Sequence, residues 1–499
     1  MNTAPDSCDL LIVGGGVNGA GIARDAAGRG LKVVLCEQDD LAAHTSSAST
    51  KLVHGGLRYL EHFEFRMVQK ALAERELLLA AAPHIMWPLR FVLPHESHLR
   101  AAWMIRAGLF LYDHLARRRH LPASQTVDLA HHPAGAPLTA GHRRGFVYSD
   151  GWVDDARLVV LNAVDARERG ATILTHTRCT RVYREHGAWS ARLLARDGTR
   201  HSLRARTVVN AAGPWVGSFL DQASPVRARR AVRLVKGSHI VVPRLFDHAF
   251  AYLFQNADRR IIFAIPYEQD FTLIGTTDVE YHGDAARAAI AADETSYLCE
   301  LANRYFARQI APADVVWSYS GVRPLLEDES ADPASVTRDY AFELDADGPP
   351  LLSVFGGKIT TYRRLAEEAL ALLAPALDAH GAPWTAGAPL PGGDLPDGDF
   401  GRFRATLAAR YPALDAALLT RLARQYGSRI ERILRSAAGA GQLGEQVLPG
   451  LYAAEIAYLR REEWATSADD ILWRRSKLGL HLPRSAAATL ADWLARHPA

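Results

Sequence analysis

The chain is poor in cysteine. Cys8, Cys36, Cys179 and Cys299 are the four among 499 residues, and no two form a C-x-x-C pair. That excludes a disulfide framework and a cysteine-rich zinc site, and it suits a reducing compartment. No metal site is expected. Charge of one sign is also scarce: 58 Lys and Arg against 55 Asp and Glu leave a net +3. This is far from the basic footprint of a nucleic-acid binder, so no nucleic-acid partner is expected. No apolar run approaches the roughly 18 residues needed to cross a bilayer. The first residues have neither a basic n-region nor an apolar h-region, so no signal peptide is expected. What remains is the composition of a globular protein, 48% hydrophobic and 23% charged, long enough for about three domains.

The most informative stretch lies at the start. Residues Asp9–Glu37 read DLLIVGGGVNGAGIARDAAGRGLKVVLCE. A short apolar strand enters Gly14-x-Gly16-x-x-Gly19, a small-residue helix follows, and a second apolar strand stops on Glu37. Gly14 permits the sharp turn, Gly16 lets backbone approach a pyrophosphate, and Gly19 lets helix pack on strand. The helix N-terminus offers free N–H groups to phosphate. An acid at Glu37 accepts from ribose hydroxyls and repels a 2′-phosphate, which disfavours NADP. The unit predicts a bound dinucleotide.

Three later stretches share its character. TSSASTKLVHGGLRYLE (Thr45–Glu61) combines hydroxyls with two adjacent glycines, suited to a loop against a phosphate or a ring system, or to an ordinary turn before a helix. RTVVNAAGPWV (Arg206–Val216) is an apolar strand ending in a small-residue turn. LLSVFGGKITTYRRL (Leu351–Leu365) runs from a strand through Gly356-Gly357 into a helix opened by Lys358, Thr360 and Thr361, a place that favours negative charge.

Periodicity sets the rest. Helices are predicted over 63–82 and 154–169, and an amphipathic basic stretch over 98–119. Strands are predicted near 171–175 and through 181–209, and a β-rich region over about 230–280. Residues 380–401 are Pro/Gly-rich, and the chain beyond them is Ala/Leu/Arg-rich and helix-patterned. The fold class expected is α/β (mixed α+β). A discontinuous Rossmann-like nucleotide domain takes 1–90, 145–230 and 315–378. An inserted antiparallel-sheet cap takes 91–144 and 231–314. A linker spans 379–401 and a C-terminal helical domain 402–499.

Taken together, GGGVNGAG, SSASTKLVHGGLRYLE, VVNAAGPWV, KGSHIVVP, IGTTDVEY, YSGVRPL and SVFGGKITTYRRLAE resemble the respiratory FAD-dependent glycerol-3-phosphate dehydrogenases, within the D-amino-acid-oxidase-like flavoproteins. The likeness spans 9–365 and continues into DDILWRRSKLGL at 469–480. It implies non-covalent FAD, oxidation of sn-glycerol 3-phosphate to dihydroxyacetone phosphate and electron transfer to membrane quinone. It also implies a peripheral position on the inner face of the cell membrane, and a homodimer.

Cofactor contacts are expected from Gly14, Gly16, Asn18, Gly19 and Glu37. The second motif offers Thr45, Ser46, Ser49, Lys51, His54, Gly55, Gly56 and Leu57. Ala211 and Gly213 come from the third motif, and Gly357, Lys358 and Thr361 from the fourth. A phosphate dianion calls for Arg and Lys, and the resemblance puts Arg58, Tyr59, Arg323 and Lys358 in the substrate pocket, with Thr277 and Asp278 closing it. His239, on the β-rich insert, is the candidate base, since an imidazole abstracts protons near neutral pH. A histidine that only orients substrate is the alternative, His54 is the rival base although its neighbours look more like a flavin contact, and Arg323 is the second catalytic candidate. The 98–119 stretch, with Trp103, Phe110 and several arginines, suits an anionic membrane surface or a core or dimer helix. Rival activities are a glycerol-phosphate oxidase using oxygen and a flavoenzyme acting on another hydroxy acid or an amine.

Overall fold

A computed structural model of the protein describes residues 4–498 except 257–259, 327–338, 378–380 and 435–439. The opening motif folds as its spacing predicts: strand Ser7–Val13, helix Val17–Gly28, strand Val33–Cys36. They sit in an eight-stranded sheet in the order Ala341–Asp345, Leu351–Phe355, Arg200–Asn210, Ser7–Val13, Val33–Cys36, Thr172–Leu174. The hairpin Thr177–Glu185/Ala188–Ala195 extends it along Arg200–Asn210. The five strands from Leu351–Phe355 to Thr172–Leu174 are parallel, so their carboxyl ends share one edge. A parallel sheet is covered on both faces, and Leu10, Leu11 and Ile12 of the central strand are fully buried. Helix Val17–Gly28 packs against helices Asp155–Glu168 and Tyr362–Leu377. That crowding explains its Gly/Ala composition: a Cβ on Gly21 would come within 2.7 Å of the Tyr362 ring.

A second sheet has ten strands among the described residues and is antiparallel except where Ala251–Gln255 pairs with Met86–Pro94. Its long strand Val232–Pro243 is paired with Trp317–Leu326 over ten residues and with Phe271–Gly275 on the other side. Helix Ala292–Tyr305 seals one face through Leu298, Leu301 and Ala302. The expected partition needs correcting here. Strands Arg144–Val153 and Trp317–Leu326, assigned to the nucleotide domain, belong to the second sheet, as do Leu52–Val53 and Met86–Pro94. The chain passes back and forth between the two sheets, and strand partners about 80 residues apart leave no local mark in the sequence.

Residues 384–401 are not a loose tether, contrary to the linker expectation. Trp384 packs on helix Val17–Gly28, Leu390 is buried in the nucleotide-domain core, and the Ala388 and Pro389 carbonyls accept from Arg24. The expected boundary at 378–379 lies outside the described residues. The helices Phe400–Arg410, Ala416–Tyr426, Ala453–Glu463 and Ala486–Arg496 build a separate core around Leu422, Ile456 and Leu490. Two buried ion pairs dock this unit: Arg157 with Glu463, and Arg475 with Asp40 at 2.7 Å. The expected helices over 63–82 and 154–169 are Phe65–Ala81 and Asp155–Glu168, and the amphipathic stretch holds helix Ala102–His114.

Candidate active site

At the shared carboxyl edge the chain turns off at Gly14, Glu37, Ala211 and Gly356. These turns, the loop through 43–50 and the inner strands of the second sheet enclose one cavity of about 2270 Å³. A drug-sized ligand fills roughly 300–1,000 Å³, so the space takes a dinucleotide together with a small substrate.

The cradle is backbone. Gly14 turns at φ +114°, where a Cβ would strike the Ala211 carbonyl. Helix Val17–Gly28 has no side-chain cap and no acid in its first turn, and its Val17 N–H donates to Ser46 Oγ at 3.0 Å. Its N-terminus suits a pyrophosphate. Asn18 Nδ2 donates to the Gly356 carbonyl at 3.0 Å and so locks the first and fourth motifs together. The buried Glu37 carboxylate accepts from the N–H of Gly15 at 2.6 Å and of Asp39 at 2.9 Å. Burial raises its pKa, and those two N–H bonds oppose the rise. Glu37 lines the cavity, and a carboxylate with two N–H donors keeps acceptor capacity for a ribose hydroxyl. Carboxylate and imidazole atoms of Glu37, Asp39 and His44 also cluster here. They are satisfied internally, with His44 Nε2 3.0 Å from Asp39.

Most of the expected contacts line this cavity. Thr45, Ser46, Ser49, His54, Gly56 and Leu57 do so, as do Ala211, Gly213, Gly357 and Lys358. Four expected contacts do not line it. Lys51 is fully buried behind the wall, its ammonium 2.7 Å from Asp155 Oδ1 and donating to the Ser47 carbonyl. Gly55 faces Leu72 and the Tyr112 hydroxyl. Thr361 is buried, whereas its neighbour Thr360 is on the wall and accepts from the His54 N–H at 3.2 Å. Gly19 acts in packing alone, since a Cβ there would strike the Gly14 carbonyl.

The opposite wall carries the charge. His239 sits mid-strand, in register with Gly275 on one side and Tyr319 on the other. Its ring stacks on Tyr319 with centroids 4.8 Å apart, and Nε2 lies 3.0 Å from Thr50 Oγ1. Nδ1 has no hydrogen-bond partner among the described residues. Burial first, then the charges of Lys51 and Arg323, push the imidazole well below its usual pKa, so it is neutral near pH 7. Arg323 Nη2 lies 2.7 Å from Asp278 Oδ1 and donates to the Thr277 carbonyl at 3.2 Å. Its guanidinium crosses directly over Gly237, where any Cβ would collide with it. Lys358 Nζ lies 4.4 Å above the Tyr59 ring and 3.6 Å from Met67 Sδ. Arg58 lines the same cavity.

Thr277 is a correction. Its hydroxyl donates to Glu294 at 2.7 Å and it is turned from the cavity, while Thr276 lines it. In extended backbone adjacent side chains point to opposite faces, and the sequence does not say which of two threonines faces in. Thr50, Thr276 and Gly237 were missed; each lies within a motif already singled out, which was the available signal. At the far end the cavity reaches Met67, Met104, Ile105 and Gly108. The outer surface there exposes Phe63 (78%), Trp103 (72%) and Phe110 (57%).

Comparison with known proteins agrees with this geometry. The family profile for FAD dependent oxidoreductases matches residues 9–363, and that for the C-terminal domain of alpha-glycerophosphate oxidase matches 384–497. The chain is 56% identical to a glycerol-3-phosphate dehydrogenase of Pseudomonas aeruginosa, over 98% of this chain and 96% of the relative. It is 51% identical to a D-erythritol 1-phosphate dehydrogenase of Brucella abortus, over 98% of each. The crystal structure of a glycerol-3-phosphate dehydrogenase from Bacillus halodurans, complexed with FAD, superposes with a TM-score of 0.80 at 29% identity, covering 98% of this chain and 90% of that one. A glycine-turned strand, an uncapped helix N-terminus, a ribose-side acid and a matching profile over residues 9–363 converge: the chain belongs to the FAD dependent oxidoreductases.

Proposed function

We propose that the protein oxidises sn-glycerol 3-phosphate to dihydroxyacetone phosphate, with FAD as hydride acceptor and a membrane quinone as final electron acceptor. The observation that carries this reading is the wall opposite the cofactor cradle. There Arg58, Arg323 and Lys358 share one cavity with a buried, neutral imidazole, His239. A phosphorylated alcohol needs that pairing: cations for the dianion and a proton acceptor for the hydroxyl.

Non-covalent FAD would be held by Gly14, Gly16, Asn18 and Ser46 at the pyrophosphate, Glu37 at the ribose, and His54, Gly56, Leu57 and Gly357 near the ring system. When bound, it supplies an electrophilic nitrogen that takes the C2 hydride. Arg323, aimed by Asp278, gives the phosphate a planar fork, and Lys358 and Arg58 add point charge and a second fork. Tyr59 stands under the Lys358 ammonium and limits where it can go. His239 takes the proton of the C2 hydroxyl, with Thr50 on its Nε2 as the first hydrogen-bond partner. The eight-stranded sheet with its helices is the cofactor domain, and the ten-stranded sheet is the substrate cap.

The same cavity extends to Met104, Ile105 and Gly108 of helix Ala102–His114, and Phe63, Trp103 and Phe110 are exposed on the protein surface. With Arg100 and Arg117–Arg119 beside it, this face suits peripheral attachment to an anionic membrane, at the cytoplasmic side of the cell membrane, and gives a lipid-borne acceptor a short approach. No helix among the described residues is long and apolar enough to cross a membrane.

The test is an anaerobic spectrum. The purified protein should be yellow, bleach on addition of glycerol 3-phosphate but not of glycerol, and recover colour with a soluble quinone analogue. No bleaching refutes the reading, and faster recovery with oxygen than with quinone identifies an oxidase. The similarity to D-erythritol 1-phosphate dehydrogenase favours one second reading, a four-carbon polyol phosphate as substrate. Comparing kcat/KM for the two phosphates decides between them.

A further inference from the structure

The ring stack that begins at His239 does not end at Tyr319. Tyr319 packs on Trp317, with centroids 5.1 Å apart, and Trp317 stacks on Trp473 at 4.5 Å and 15° between planes. His239, Tyr319 and Trp317 belong to two paired strands of the second sheet. Trp473 comes from the C-terminal helical unit, in the short helical segment Asp470–Arg475. A row of four rings, from Trp473 to the imidazole itself, therefore joins that unit to His239.

Trp473 is held firmly at its own end. Immediately after Trp473, Arg474 Nε and Arg475 Nη1 both donate to Asp40 Oδ2, at 2.6 and 2.7 Å. Lys477 Nζ donates to the Trp473 carbonyl at 2.6 Å. Gly479 lies against the indole so closely that a Cβ would stand 2.6 Å from it.

The His239 ring also packs against Gly275, where a Cβ would stand 2.1 Å from its Cδ2, but it has few hydrogen bonds to orient it. Nε2 meets Thr50, Nδ1 has no partner, and no carboxylate is hydrogen-bonded to the ring among the described residues. An acceptor on the second nitrogen is the usual device for orienting a catalytic histidine. Here the flat contact with Tyr319 takes that place. Tyr319 is pinned by its hydroxyl, which donates to the Ser49 carbonyl at 2.8 Å, and by the Lys51 ammonium 4.9 Å from its ring. The titratable groups facing His239 are Lys51 from the loop and Tyr319 and Arg323 from the paired strand. The strand on the other side presents Gly275.

We propose that Trp473 is a positioning residue for His239, so that the C-terminal unit completes, through stacked rings, an active site it does not enter. This rests on His239 as the base, as argued above. The test uses full-length, FAD-loaded protein carrying Trp473→Ala or Trp473→Phe. The alanine variant should lose about tenfold in kcat, because a displaced base misses its near-attack geometry. Its KM for glycerol 3-phosphate and its FAD content should stay within about twofold of the parent, and the phenylalanine variant should recover most of the loss. Histidine NMR gives a second readout without turnover. In the parent the His239 ring stays neutral far below pH 6.5, and in Trp473→Ala its titration should move up toward 6.5 as water reaches it. Unchanged kcat with unchanged titration overturns the proposal. So does a joint loss of FAD, substrate affinity and kcat that phenylalanine does not rescue. If His239→Ala keeps a normal acid limb, the base assignment fails. In that case a shifted titration in Trp473→Ala still supports the positioning, and an unshifted one overturns it.

Discussion

Replacing Arg323 by alanine should cripple substrate capture while leaving the fold intact. The side chain is about one quarter exposed, on the cavity wall, so its removal leaves no large void in the core. What it removes is a guanidinium held by Asp278 at 2.7 Å and by the Thr277 carbonyl at 3.2 Å. A hydrogen bond to a charged group contributes about 1.5–3 kcal/mol. At about 1.36 kcal/mol per decade, kcat/KM should fall about 10- to 150-fold, most of it in KM, since a phosphate clamp acts in ground and transition state alike. Asp278 would then stand beside the dianion without its guanidinium, so Arg323→Ala/Asp278→Asn should recover part of the loss. Gly237→Ala offers an independent check. It leaves Arg323 present, yet its Cβ would displace the guanidinium, so KM should rise in the same direction. The assay is steady-state reduction of a quinone analogue against glycerol 3-phosphate, with FAD content measured in each variant. A KM unchanged in Arg323→Ala, at full FAD loading, would refute the clamp and move the phosphate to Arg58 and Lys358.

Two further predictions concern histidine and lysine. His239→Ala should lower kcat by about 10²–10⁴-fold, the usual range for a general base, and abolish the acid limb of kcat. The sign follows from burial: a neutral form favoured by desolvation keeps the free-enzyme imidazole unprotonated well below 6.5, while a bound phosphate dianion draws the limb of kcat upward. The kcat/KM profile is less diagnostic, because a phosphate monoester itself takes a proton near pH 6. An intact acid limb of kcat in His239→Ala would remove the residue as base. Lys51→Ala should act on stability, not on the cofactor. It leaves Asp155 buried without its ammonium, at a cost of about 3–5 kcal/mol, read as a lower denaturant midpoint. FAD affinity unchanged in whatever protein remains folded would bear this out, and a selective loss of FAD without destabilisation would refute it.

The legible parts of the site were those whose physics is local. Strand, glycine turn, helix and terminal acid all lie within Asp9–Glu37, so their order and spacing can be read along one short stretch. The FGGK turn and the AAG turn were readable for the same reason. Residues whose role depends on facing were not. Lys51 and His54 stand three apart in one motif, yet one is locked to Asp155 behind the wall and the other lines the cavity. Thr276 and Thr277 differ only in which side of an extended chain they occupy.

The sequence by itself determined the cofactor class, through a backbone shape that only glycine and an uncapped helix can make, and it determined the chemical types brought to the reaction. Only the tertiary structure decided the rest. It paired Val232–Pro243 with Trp317–Leu326 and so laid Arg323 over Gly237 and Tyr319 against His239. It also brought Trp473 from the far end of the chain onto Trp317. Contacts across 80 or more residues depend on register and layer packing, which any strand of similar hydrophobicity would satisfy in isolation, so they become specific only when the whole core closes.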